Sequence, residues 1–323
     1  MRWCCPKVLW QIPDEAMMQG VKRFYRKNGA ILATFMLVAA TFWVVLLVVL
    51  PQIIMIDFSL RPNLPPASVG GPDDVYTLEH YRYLLFGRGD HPSGWNAVEL
   101  GIFARTLVAA VCVTLMTLLI SYPIAYYIAQ IVRPGWSRMM IVVLVIPFWI
   151  NDILRAYALR IIFGDIGVIN SILKFFRLID APIDFIRSDV ALFSGLVYAY
   201  LLLMIFPIYS AIESLDRQQI EAARDLGASW WRIHQRIVIP FASGGITSGC
   251  VMVFMLSSGA LILPQVLGGP SRMWFTELIC QNFFETLNWA RGAAYAMALL
   301  LATSVILLLF IKLLRVRIGE VIK

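Results

Sequence analysis

The chain has 323 residues, of which 60% are hydrophobic and 15% charged, with a formal net charge of +7 and a mean hydropathy of +0.76. A water-soluble domain carries about 25% charged residues, so the composition excludes an ordinary soluble domain and points to an integral membrane protein. The positive charge would suggest nucleic acid in a soluble chain; in a membrane chain the sidedness of Lys and Arg is what matters.

Residues 1–29 form a basic N-terminal segment that no short apolar core with a small-residue cleavage site follows, so a cleaved signal peptide is not expected. The first apolar stretch reads instead as a permanent anchor. Crossing a hydrocarbon core of about 30 Å takes roughly 20 helical residues. Six stretches qualify: 30–56, 103–130, 139–163, 190–212, 241–264 and 291–314. They predict an all-α membrane domain over 30–315 with a short tail at 316–323.

Alternating loops then divide the basic residues unequally. The N-terminus, the 131–138 loop, the 214–240 loop and the C-terminus hold sixteen Lys and Arg, whereas the opposite loops hold eight. The excess predicts that both termini and the 214–240 loop face the cytoplasm. On the other side, the long 57–102 loop carries turn formers in "RPNLPPASVGGPDD" and six acidic residues, Asp57, Asp73, Asp74, Glu79, Asp90 and Glu99. It reads as a solvated cap, with docking of an external partner as the alternative. The five cysteines have no C-x-x-C spacing and no companion histidines, which supports neither a metal site nor a disulfide framework.

The third stretch is interrupted. Pro147 removes a backbone donor, and Asn151, Asp152, Arg155 and Arg160 follow within it. Such groups are costly in lipid and are expected to face protein or water. Asp152 and Arg155, three apart on one helical face, can pair with each other; alternatively Asp152 contacts a substrate directly. Among the aromatic residues, Trp149 and Tyr157 stand nearest this cluster and could offer ring faces to a cation. The small residues of "FASGGITSG" at 241–249 predict close helix packing on the fifth stretch.

Between the fourth and fifth stretches lies "EAARDLGASWWRIHQRIVIP" at 221–240. Glu221–Leu226 reads as a short helix stopped by a left-handed Gly227. Ser229 is placed to cap a second helix from Trp230 to Ile237, and Pro240 to close it. Ala222 and Ala223 leave a face that another surface can approach closely, and the flanking charges can fix a register. An interfacial helix lying on lipid headgroups is the alternative.

This string resembles the coupling loop of ABC importer permeases: Glu221, Ala222, Ala223, Gly227, Ile237 and Pro240 match at full spacing, and Ile239 replaces a Leu. The stretches "PFWINDILRAYALRIIFGDIGVIN" (147–170) and "LPQVLGGP" (263–270) resemble permeases of the spermidine/putrescine type. The resemblance implies a six-helix type I importer permease fold with a cytoplasmic coupling helix, in a bacterial inner membrane. It also implies three kinds of partner: a second and different permease chain, two ATPase subunits, and an extracytoplasmic binding protein.

Glu221, Ala222, Ala223, Arg224, Asp225 and Gly227 would then seat in the ATPase, while Asp152, Trp149, Tyr157 and Asn151 are the candidates for a cationic substrate's path. The expected substrate is a polyamine, with an opine or an aminobutyrate-like amino acid as the alternative. No G-x-x-x-x-G-K-[ST] stretch exists to cradle a triphosphate, so ATP and Mg are expected in the partner, and no cofactor in this chain. A self-sufficient, ion-coupled secondary transporter is the rival from another class.

Overall fold

The computed structural model describes residues 29–64, 68, 71–72, 74–87, 94–269 and 273–313. The basic segment 1–28, the tail, Cys4, Cys5, Asp73, Asp90, His91, Pro270 and Arg272 lie outside the described residues. Every regular element among the described residues is helical. Five helices are long and apolar enough to cross a membrane, and a sixth joins them if the bent pair Trp230–Phe241 and Ser243–Ser258 counts as one span.

The chain divides into two compact units, 1–58 and 59–323. The first is built on α1 (Ala30–Val44) and α2 (Leu50–Leu60), the latter running past the boundary, with a π-helical turn at Val45–Val49 between them. That turn ends two residues before Pro51. A proline cannot donate to the carbonyl four residues back, and a wider turn lets the Leu50 N–H bond to the Val45 carbonyl instead.

In the second unit the chain continues through α3 (Glu79–Phe86), α4 (Ala97–Tyr126) and α5 (Pro134–Val145). Beyond these come α6 (Asp152–Phe163), α7 (Val168–Phe175) and α8 (Val190–Glu213). Its centre is the mutual packing of α4 and α8 with α12 (Ser243–Ser258). Along α4 the buried face carries small residues: Thr106, Ala110, Val113, Thr114, Thr117, Ser121 and Ala125. The Thr114 and Thr117 hydroxyls donate to the Ala110 and Val113 carbonyls of their own helix, at 2.8 and 2.7 Å. These polar groups can therefore be buried at little cost.

The packing expected of "FASGGITSG" is present. A Cβ on Gly245 would stand 2.3 Å from the Pro207 carbonyl oxygen of α8, and one on Gly249 would stand 2.8 Å from Met204 Sδ. Without much hydrophobic drive between helices in lipid, such close contact is what holds them together.

The third stretch, expected as one span over 139–163, is two helices. After α5 a 3-10 turn at Ile146–Trp149 carries Pro147, Ile150 is extended, and Asn151 caps α6 with its Oδ1 accepting the Ile153 N–H at 2.8 Å. Proline disfavours continuation and a capping Asn restarts the helix, so the sequence contains both halves of the break. The side chain of Arg160 donates to the Val266 carbonyl of α13 (Ile262–Leu267) and fastens α6 there.

A second, smaller core joins α3 and α4 to α14 (Phe275–Phe284) and α15 (Trp289–Leu313). Leu84, Phe275, Ala294, Tyr295 and Leu299 are buried together. The 57–102 loop, expected as a solvated cap, is thus partly packed. Leu84 is buried, the Arg291 guanidinium lies 3.9 Å from the Tyr83 ring centroid, and Arg61 pairs with Asp74 at 2.7 Å. Amphipathic α3 turns apolar residues toward α15, a pattern that the loop's turn-rich first half masks.

Candidate functional site

The 214–240 segment begins with a helix longer than expected. It is α9 (Arg217–Asp225), and Asp216 rather than Glu221 stands at its start, its carboxylate accepting the Gln218 N–H at 3.0 Å. At the other end Gly227 has φ 74°, its N–H donates to the Arg224 carbonyl at 2.8 Å, and the Ala228 N–H donates to the Ala223 carbonyl at 3.0 Å. This is the paired bonding of a Schellman stop. The left-handed glycine that the sequence predicts is therefore in place.

The stop also sets the faces of α9. Ile220 is buried, and Ala223 and Ala228 pack against the core. Glu221, Ala222, Arg224, Asp225 and Gly227 are exposed, and Leu226 is 89% exposed. A Cβ on Gly227 would meet nothing within 4 Å. The free surface is thus a small knob of Ala222 and Leu226 flanked by both signs of charge.

The expected second helix differs from its prediction. Ser229 occupies the cap position of α10 (Trp230–Ile233) but its side chain makes no capping bond. A π-helical turn follows at His234–Val238, and Pro240 lies inside the short α11 (Ile239–Phe241) rather than closing it. As with Pro51, the wider turn ends two residues before the proline. The chain then bends by 71° before α12.

Two polar tethers that the sequence reading missed hold the segment to residues 129–132, in and just after the π-helical turn Tyr127–Ile131 that continues α4. The Gln130 amide donates to the Ile212 and Leu215 carbonyls at 2.8 and 3.1 Å. Arg217 donates to the Ala129 and Val132 carbonyls at 3.3 and 3.2 Å. Carbonyls at a helix end lack partners within the helix, and the long side chains supply donors to them. Gln130 inside the apolar run "YYIAQIV" was the available signal, since a buried amide needs partners.

At the break in the third stretch, Asp152 pairs with Arg155, as its spacing allows. The carboxylate side chain is 70% exposed and the guanidinium side chain 8%. Arg155 also lies 5.2 Å from the Phe148 ring centroid and 5.6 Å from that of Tyr198. The ring faces nearest this cluster therefore serve the protein's own cation. Trp149 and Tyr157 point outward, at 87% and 54% exposure, and Asn151 acts as the helix cap.

The described residues thus form a helical membrane protein with a stopped, exposed helix between two of its apolar segments. No family model matches the chain. It is 32% identical over 278 residues to the spermidine/putrescine transport system permease protein PotB of Escherichia coli strain K12, covering 85% of this chain and 95% of that one. PotC, a permease protein of the spermidine/putrescine transport system in the same organism, is 30% identical over 139 residues, covering 43% of this chain and 45% of that one.

Among solved structures, a bacterial ABC transporter for import of the acidic polysaccharide alginate matches with a TM-score of 0.64 at 16% identity, covering 93% of this chain and 98% of that one. A second, the bacterial alginate ABC transporter in complex with a pentasaccharide-bound periplasmic protein, gives 0.62 at 16% identity, covering 89% and 96%. The alginate transporters share the fold. The chain belongs to the spermidine/putrescine-type permeases of ABC transport systems.

Proposed function

We propose that this chain is the PotB-like half of a permease pair that imports a polyamine, spermidine or putrescine, across a bacterial inner membrane. The similarity to PotB over most of both chains carries this reading. A different chain completes the pair, as the separate PotB and PotC of one organism suggest. A periplasmic binding protein delivers substrate, by analogy with the alginate complex. The excess of Lys and Arg supports cytoplasmic termini.

Energy comes from two ATPase subunits that hold ATP and Mg. The exposed face of α9, with Glu221, Ala222, Arg224, Asp225 and Gly227, seats in a cleft of one of them, while Ala223 keeps it on the core. Closure of the ATPase pair moves α9 as a rigid body, and its tethers pass the motion to α4 and α8. The substrate path runs by the break at 150–151, where Trp149, Asn151, Asp152 and Tyr157 are the contacts.

Proteoliposomes test this. With the second permease, the ATPase and the binding protein present, ATP should drive spermidine uptake, and the chain alone should show none under an ion gradient. Ion-driven uptake by this chain alone would establish the secondary-transporter reading instead.

A further inference from the structure

His234 is 2% exposed. Its Nδ1 lies 2.6 Å from the Tyr122 hydroxyl, and its ring centroid stands 4.4 Å from that of Tyr126 and 4.0 Å from that of Trp230. Tyr122 immediately precedes Pro123 inside α4, and Tyr126 is the last residue of α4 before the π-helical turn Tyr127–Ile131. One imidazole thus grips α4 on both sides of its proline. The opposite nitrogen, Nε2, is buried without a hydrogen-bond partner among the described residues. A leucine would fill the same space and leave no such deficit, so packing alone does not account for a histidine here.

The entry side of the coupling segment is fastened to α4 by Gln130 and Arg217. Its exit side passes through the turn at His234–Val238 and the 71° bend. Both are places where a push on α9 would dissipate unless something rigid takes it up. His234 is the first residue of that turn and precedes the bend.

We propose that His234 is the positioning residue that carries displacement of the coupling segment into α4, moving Tyr122 and Tyr126 together so that α4 bends at Pro123. This rests on the coupling role of α9 proposed above. The hydrogen bond gives the joint its direction, and the rings of Trp230 and Tyr126 pack against the imidazole.

The complete transporter in proteoliposomes, with labelled spermidine, tests it through the ratio of spermidine imported to ATP hydrolysed. Tyr122→Phe and His234→Ala are each expected to lower that ratio about fivefold, the worth of one buried hydrogen bond, with hydrolysis and subunit assembly retained. The double variant should be no worse than either single one. His234→Asn, whose amide reaches the position of Nδ1, should recover part of the ratio.

Uptake and hydrolysis falling in proportion would overturn the proposal, because lost assembly alone does that. Glu221→Lys separates the two layers of the argument. If it uncouples while Tyr122→Phe and His234→Ala keep the normal ratio, the joint is wrong and the docking helix stands. A normal ratio in all three overturns both.

Discussion

Arg217 donates to the carbonyl oxygen of Val132 at 3.2 Å, so the helix that leaves α8 is fastened to the end of α4. The same guanidinium reaches Ala129 at 3.3 Å. The 214–240 segment is therefore tied by hydrogen bonds to the chain that follows α4 as well as continuing from α8.

Arg217→Ala removes both donors and leaves carbonyls at a helix end unsatisfied. Hydrogen bonds to a charged group are worth about 1.5–3 kcal/mol each. The expected outcome is a permease that assembles but imports at least about tenfold less spermidine per ATP, at 1.4 kcal/mol per tenfold. Paired uptake and hydrolysis assays check it. Normal import would mean that Gln130 alone is a sufficient tether.

The stop at Gly227 gives a graded series. Gly227→Ala places a side chain in open space at φ 74° and should cost about 1–2 kcal/mol of local stability. Gly227→Asn, which tolerates that backbone region, should cost less. Gly227→Pro also loses the N–H that bonds Arg224 and fixes φ near −65°, so it should abolish ATP-driven import while the apolar helices stay folded. Uptake and thermal melting across the three variants give the order; equal activity in all three would contradict a rigid stop.

Gly245 tests the packing of α12 on α8. Because a Cβ there meets the Pro207 carbonyl oxygen at 2.3 Å and Ala211 Cβ at 2.6 Å, Gly245→Val should force the helices apart at a cost of about 1–3 kcal/mol or more. Lower yield and a lower melting temperature of purified protein are expected. Gly101→Ala, with open space around it, serves as the control.

The segment around α3 should respond to pH through His80. Its ring is 7% exposed with Nε2 3.1 Å from the Arg61 carbonyl oxygen, and burial lowers its pKa below the usual 6.5. A lowered folded pKa means that protonation favours the opened segment. The stability is present above pH 6.5 and is lost as pH falls through the folded value. Hydrogen-exchange protection over residues 74–87, corrected for the intrinsic pH dependence of exchange, should fall as pH is lowered below 6.5, and His80→Gln should remove that dependence.

Asp152→Asn addresses the path. The carboxylate is mostly exposed although Arg155 is buried, and the Asn amide oxygen can still accept from the guanidinium, so the protein should stay folded. Maximal spermidine uptake should fall if a cation passes Asp152. Unchanged uptake would leave Asp152 only as the partner of Arg155.

The sequence made the helical class legible because lipid leaves few alternatives, and Gly227 was legible because a left-handed stop has a residue signature. The break at 150–151 was only half legible. Pro147 announced a kink, but the cap that Asn151 supplies to α6 was not read from the sequence. Tethers such as Arg217 to Val132, and the burial of His234 beside Tyr122, depend on residues 85 and 112 positions apart. No local pattern encodes those pairs, since they arise from how α4 and the coupling segment pack.

The most direct test of the coupling account is a cross-link. With Ala222→Cys or Leu226→Cys in the complete transporter and single cysteines placed around the cleft of the ATPase, oxidation in native membranes should join the two chains. ATP should change the yield. A transporter that imports spermidine normally yet gives no cross-link from either position, under any nucleotide condition, would contradict it.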